Sequence, residues 1–230
     1  MSDPFVSIVM ATKDAAQFLA FALDSIAGQE YQNYELIVVD GRSTDQTRLI
    51  AGSYPRTTVV EQDGAGFAQA WNCGIDAARG DAIAFLDSDD IWPKDSLARR
   101  VERLAGDPDL DCVIGRVKFF LEEGHSIPRG FKPKLFNGSY VAYMPGVALL
   151  RPRAFHALGQ FEETWQIAND IVWFAKLRNS GARIDIIDDV LLHKRIHSSN
   201  LSNIAARMPI YREELLAIAR QSVLRQRRNA

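Results

Sequence analysis

Compact apolar runs and stretches of helical spacing take turns along the first half of this chain. Val6 to Met10 is a compact, mostly apolar run, and from Ala16 to Ala27 the residues Phe18, Leu19, Ala22, Leu23 and Ile26 recur on one helical face. The unit repeats. Leu36 to Val39 reads as a second buried strand ending at Asp40, and Thr44 to Ala51 as a helix capped by Ser43 or Thr44. Thr57 to Val60 is a third strand, Gly66 to Ala78 an alanine-rich helix, and Ala82 to Leu86 a fourth strand that stops at Asp87-Ser88-Asp89-Asp90. Strands that are apolar throughout need cover on both faces. Their alternation with helices predicts an α/β fold with a mostly parallel central sheet and helices on both sides.

The second half is less regular. Pro93 is expected in the first turn of a helix running to Leu104, where a missing amide hydrogen costs nothing. Asp111 to Phe120 reads as a strand, and Val147 to Arg151, Ile184 to Ile187 and Val190 to Leu192 as shorter ones. Asp170 to Ser180 has helical character. Between Glu122 and Pro145 glycines, prolines and mixed polarity make a long irregular stretch, a common place for lids and binding loops. From Ile204 onward the spacing predicts a basic amphipathic helix, so the expected division is one domain over 1–203 and a terminal helix over 204–230.

Composition narrows the partners. Two hundred and thirty residues, 47% hydrophobic and 24% charged, suit one globular enzyme domain. A net charge of -2 argues against nucleic acid as a partner. Cys73 and Cys112 lie in apolar surroundings with no CxxC spacing, which predicts buried thiols in a reducing compartment. The first residues carry no basic segment followed by a long apolar core, and no run approaches the roughly 18 to 20 apolar residues of a membrane-spanning helix. A cytoplasmic location is expected. Arg207, Arg212, Arg220, Arg225, Arg227 and Arg228 leave the terminal helix two settings, packed on its own domain or peripheral on the inner face of an anionic membrane.

Ligands of parallel α/β sheets bind beyond the carboxyl ends of the strands, where Asp40 and the Asp87 cluster stand. Two carboxylates one residue apart, on chain leaving a buried strand, suit a hard cation such as Mg²⁺ or Mn²⁺ shared with a diphosphate. Taken alone, they suit helix capping better, and context has to decide. A haloacid-dehalogenase-like phosphatase also places Asp-x-Asp after a buried strand, and Asp188-Asp189 mimics its later metal acids. In that class, however, the motif follows the first core strand, whereas several strand and helix units precede Asp87 here. A sugar nucleotidyltransferase would need a glycine-rich triphosphate loop after the first strand, and none is present.

Longer segments discriminate further. Ser7-Ile8-Val9-Met10-Ala11-Thr12-Lys13-Asp14, Glu35-Leu36-Ile37-Val38-Val39-Asp40-Gly41-Arg42-Ser43-Thr44-Asp45, Gln62-Asp63-Gly64-Ala65-Gly66 with Ala70-Trp71-Asn72-Cys73-Gly74, and Phe85-Leu86-Asp87-Ser88-Asp89-Asp90 occur in that order. Gly159-Gln160-Phe161, Ala168-Asn169-Asp170 and the run from His193 through His197 to Asn200, Leu201 and Ser202 follow. Together they resemble the family-2 glycosyltransferases of the GT-A fold. The resemblance implies an inverting transfer of sugar from a nucleoside-diphosphate donor, with uridine as the favoured base, to a carbohydrate or lipid-linked acceptor in polysaccharide or glycoconjugate synthesis. A donor half over 1–90 and an acceptor half over 91–203 follow from it.

The same resemblance implies roles for residues. Ala11, Lys13, Asp40, Asp63, Asn72, Asp87 and Ser88 would contact the nucleotide-sugar; Asp87, Asp89 and His197 would hold the divalent metal; Asp170 would act as general base at a helix start. The sequence departs from the commoner pattern at Ala11, Lys13 and Asp14, which replace proline, an aromatic and asparagine. Gly41 replaces a frequent aspartate, and Asn169 a frequent glutamate. A module that binds the nucleotide-sugar without turnover is the remaining alternative, against which an acid at Asp170 counts.

Overall fold

The computed structural model describes residues 3–128, 131–165, 168–198 and 200, together with 213, 214, 216 and 218. Most of the expected terminal helix from Ile204 therefore lies outside the described residues. Among the described residues no helix is long and apolar enough to cross a membrane.

Strands β1 (Val6–Thr12), β2 (Tyr34–Asp40), β3 (Thr57–Glu61) and β4 (Ala82–Phe85) run parallel in the order β3-β2-β1-β4. β1, β2 and β4 are buried at every position, as their largely apolar runs require, and the polar Ser7 and Glu35 among them are bonded to each other, with Arg79 also on Glu35. β1 and β2 pair from Val6↔Tyr34 to Thr12↔Asp40, so Thr12 and Asp40 finish their strands side by side. Beyond β4 the sheet becomes mixed. A two-residue strand, Leu149–Leu150, lies antiparallel between β4 and the strand Cys112–Leu121. We number Cys112–Leu121 as β5, Ser139–Val141 as β6 and Leu149–Leu150 as β7. β6 is antiparallel to β5, and β8 (Ile184–Ile196) is parallel to it.

The helices are α1 (Leu19–Ala27), α2 (Thr47–Gly52), α3 (Phe67–Ala77), α4 (Ser96–Gly106), α5 (Pro152–Leu158) and α6 (Asn169–Asn179). α3 packs closely on the sheet because Gly74 faces β1: a Cβ there would stand 2.2 Å from Cγ1 of Val9. Trp71, Phe85, Phe155, Phe161 and Trp173 form one aromatic cluster, with centroids 4.9 Å apart for Trp71–Phe161 and 4.8 Å for Phe155–Trp173. That cluster fixes α5 and α6 against α3 and β4.

Several local expectations are corrected. Pro93 lies outside α4, which starts at Ser96; its carbonyl instead accepts the Ser96 amide. Neither Ser43 nor Thr44 caps α2, because Thr44 donates its amide and hydroxyl to Asp14, and the Asp45 carboxylate takes the Thr47 amide. The two short strands expected between Ile184 and Leu192 are one long β8, carried through Asp188 and Asp189 by a register shift against β5. α5 was unforeseen. The irregular stretch contains a turn of 3₁₀-helix at Pro133–Phe136 and β6. Cys112 is buried as expected, but Cys73 is only half-buried and accepts a hydrogen bond from Gln69.

Candidate active site

A cavity of about 610 Å³ opens at the carboxyl ends of β1 and β4. Its wall gathers Ala11, Lys13, Asp87, Ser88, Asp89, Asp170 and His197, residues spread over nearly the whole described chain. The geometry follows from topology: neighbouring parallel strands end together, and the loops after them share one rim.

Beside the cavity, Asp40 is fully buried. One of its carboxylate oxygens takes the Ser43 amide at 3.1 Å, while Oδ1 has no partner among the described residues, nor has Oγ1 of neighbouring Thr12. Buried polar atoms without partners are costly, and two adjacent ones make a polar end that a bound donor or acceptor group would satisfy. Gly41 permits the close approach here: a Cβ would come within 3.0 Å of the Gln62 side chain and 3.3 Å of Lys13 Cβ. Gln62 and Lys13 both line the cavity.

At the other end, oxygens of Asp87, Asp89 and Asp90 all lie within 4.8 Å of one another. An all-carboxylate set of this kind suits a hard divalent cation. Strand β8 closes over it. His193 pairs with Ile91 through both backbone groups, which brings the next residues against the acidic turn. Lys194 Nζ lies 2.9 Å from Asp90 Oδ2 and 3.2 Å from Asp87 Oδ2. The Arg195 amide donates to Asp90 Oδ1 at 2.9 Å, its guanidinium pairs with Glu122, and it lies over Phe18, Phe21 and Phe120. His197 Nε2 lies 3.1 Å from Asp89 Oδ2, and Asn200 donates to the same oxygen at 3.0 Å.

Charge within this group is strongly ordered. Burial works against the ionised form of Asp89, yet the His197 hydrogen bond and the Lys194 charge hold its carboxyl below the usual range. Burial likewise opposes the Lys194 ammonium, but Asp90, Asp87 and Asp89 outweigh it and keep the group charged. Asp90, fully buried, is displaced upward by burial, with Lys194 opposing and Asp89 and Asp87 adding to the rise. Asp90 binds β8 on both oxygens and is absent from the cavity wall.

Asp170 sits in the first turn of α6 and accepts the Ile171 amide at 2.8 Å. Burial pushes its carboxyl up to about 6; the Ile171 hydrogen bond opposes this and the Asp87 charge adds to it. A carboxylate held near that value can take a proton at neutral pH and is more basic than a solvated aspartate.

Three expected contacts are absent from the cavity wall: Asp40 lies behind it, beside the wall residue Thr12, and the other two lie elsewhere. Asp63 is exposed and not part of the cavity wall. Asn72 is buried outside the wall, donating to the Phe161 carbonyl at 2.9 Å and accepting the Phe161 amide at 3.0 Å. Its side chain is a clasp between α3 and the segment joining α5 to α6. Asp188 and Asp189 pair with Arg116 and Arg99 and lie outside the wall, so they do not complete a phosphatase metal site. The sequence reading gave no role to Lys194, Gln62, Thr12 or Asn169, all of which line the cavity. Lys194 had a usable signal, its place inside the run from His193 to His197.

Residues 7–182 match the family model described as glycosyl transferase family 2. An uncharacterized glycosyltransferase, RP339 of Rickettsia prowazekii, is 28% identical over 215 residues, covering 88% of this chain and 67% of its own. Among solved structures, S. aureus TarS 1-349 in complex with UDP-GlcNAc is similar with a TM-score of 0.69 at 20% identity, over 85% of this chain and 59% of that one. The mannosyltransferase PcManGT of Pyrobaculum calidifontis, in complex with GDP-Man and Mn²⁺, has a TM-score of 0.67 at 23% identity, over 94% of this chain and 65% of that one. At such identities the likeness to both structures is one of fold. The chain spans about two thirds or less of the length of each of these three proteins.

Proposed function

The chain belongs to glycosyl transferase family 2, and we propose that it is an inverting glycosyltransferase moving a sugar from a nucleoside-diphosphate donor to an acceptor hydroxyl. The observation that carries this reading is one cavity walled by Asp87 and Asp89 after β4, by His197, and by Asp170 at the start of α6. Residues 1–90 would hold the donor and 91–203 the acceptor.

Asp40 and Thr12, with unpartnered oxygens, suit hydrogen bonds to the donor base or ribose. Ala11, Lys13, Asp87 and Ser88 line the path from there to the acidic turn. Asp87 and Asp89, with His197 beside them, would hold Mn²⁺ or Mg²⁺, and that ion when bound would neutralise the departing diphosphate. Asp170 would accept the proton of the acceptor hydroxyl as its oxygen bonds to the anomeric carbon. The bond from that carbon to the diphosphate oxygen breaks on the opposite face, and the configuration inverts. The acceptor is a carbohydrate or lipid-linked acceptor in polysaccharide or glycoconjugate synthesis, and uridine diphosphate is the favoured donor nucleotide.

Thermal unfolding across nucleoside diphosphates and nucleotide-sugars, each with Mn²⁺, Mg²⁺ or chelator, tests this reading. A metal-dependent rise in melting temperature with one nucleotide supports it and identifies the base. No rise with any of them, together with release of phosphate from simple phosphomonoesters, would favour a phosphatase instead.

A further inference from the structure

The acidic turn already contains a cation. Lys194 Nζ bridges Asp87 and Asp90 at 3.2 and 2.9 Å, and its side chain is 15% exposed, with part of it on the cavity wall. The backbone at this position is fixed from both sides: His193 is paired to Ile91, and the Arg195 amide is bonded to Asp90. The stem can swing while its base stays in place. A divalent ion approaching Asp87 and Asp89 without a nucleotide meets an Asp87 oxygen already engaged by an ammonium and a like charge within a few ångströms. Such repulsion in a poorly solvated pocket is large. A diphosphate reverses the balance, because its negative oxygens offer the ammonium a new partner.

Resting on the donor reading above, we propose that Lys194 makes divalent metal and nucleoside diphosphate bind as a unit. The ammonium excludes the free ion from Asp87 and turns to the diphosphate when both ligands enter. Lys194 is thus a binding residue for the diphosphate as well as a barrier to metal alone.

The test measures Mn²⁺ binding to the full chain by electron paramagnetic resonance, without nucleotide and with saturating UDP or GDP. The wild type should bind Mn²⁺ alone weakly and at least roughly tenfold more tightly with the nucleotide. Lys194→Gln should bind Mn²⁺ alone roughly tenfold more tightly than the wild type and lose most of the coupling. Should the loss of charge beside buried Asp90 impair folding, Lys194→Met combined with Asp90→Asn keeps that position neutral and should show the same gain. Wild-type protein that binds Mn²⁺ equally well with and without nucleotide overturns the proposal. Nucleotide-dependent uptake that is unchanged in the variants overturns it too, but leaves the transfer reading standing. Mn²⁺ binding with no affinity for either nucleotide removes both.

Discussion

Nε2 of His197 lies 3.1 Å from Oδ2 of Asp89 and joins two segments 108 residues apart. Asn200 donates to the same oxygen, so the chain just after β8 orients the carboxylate of the acidic turn. Groups that hold a ligating carboxylate typically contribute 10- to 100-fold to metal affinity. His197→Ala should therefore weaken Mn²⁺ binding in the presence of nucleotide by roughly that factor, while Asp89→Ala should abolish metal-dependent transfer and the metal-dependent part of the thermal shift. Transfer retained by Asp89→Ala would remove this residue from the metal site.

The role proposed for Asp170 as general base predicts that binding and chemistry separate at this residue. Asp170→Asn keeps the shape of the side chain and removes its ability to take a proton, so donor affinity should persist while transfer falls by roughly 10²- to 10⁴-fold. Paired measurements of nucleotide-sugar binding and turnover check this. A variant with unimpaired turnover would assign the base to another group.

The same residue gives a stability test with a definite sign. Its folded pKa, about 6, lies above that of an unfolded aspartate, near 3.9. The folded state therefore holds the proton more tightly, and this group's contribution to stability declines as the pH rises from about 4 to about 6. In chelator at pH 7, Asp170→Asn should be more stable than the wild type, by on the order of 2 kcal/mol. The difference should vanish near pH 4. Denaturant unfolding across this range would detect it, and a variant less stable at pH 7 would contradict the burial of the charge.

Asn72 should behave as a clasp. Asn72→Ala leaves the buried amide and carbonyl of Phe161 without their partner, which costs about 1–3 kcal/mol. Melting temperature should drop, and the nucleotide dissociation constant measured well below the transition should change little. A large loss of affinity with unchanged stability would restore Asn72 to the donor site.

The sequence made the β1 to β4 half legible because each strand has an apolar centre and each helix keeps its spacing; even Asp40 and Asp87 could be placed at or just after strand ends from pattern alone. Boundaries failed where side chains compete for backbone groups. Thr44 is drawn to Asp14, and Asp45 rather than Ser43 holds the start of α2. Pattern failed at β8 because Asp188 and Asp189 interrupt its apolar runs, while Arg116 and Arg99 from other elements neutralise them. The surroundings of Lys194 and Asn72 were not legible for a related reason. Their partners, Asp90 and Phe161, lie 104 and 89 residues away, and only the assembled sheet shows which face each side chain takes.

Close packing of α3 on β1 supplies a last test, one that links fold to site. Gly74 leaves no room for a methyl group: its Cβ would lie 2.2 Å from Cγ1 and 3.1 Å from Cγ2 of fully buried Val9. Val9 sits in an interior strand and cannot retreat without disturbing β2 and β4. Gly74→Ala must therefore lift the helix, at a cost of about 1–3 kcal/mol. Phe67, Ala70 and Trp71 line the cavity from the same helix, so the nucleotide-induced thermal shift should shrink together with the melting temperature. Val9→Ala alone removes packing and should also destabilise. Combined with Gly74→Ala, it should cost less than the two single changes added together, because the new methyl occupies the space the valine leaves. Strict additivity in that cycle would mean that α3 and β1 do not meet at these two residues.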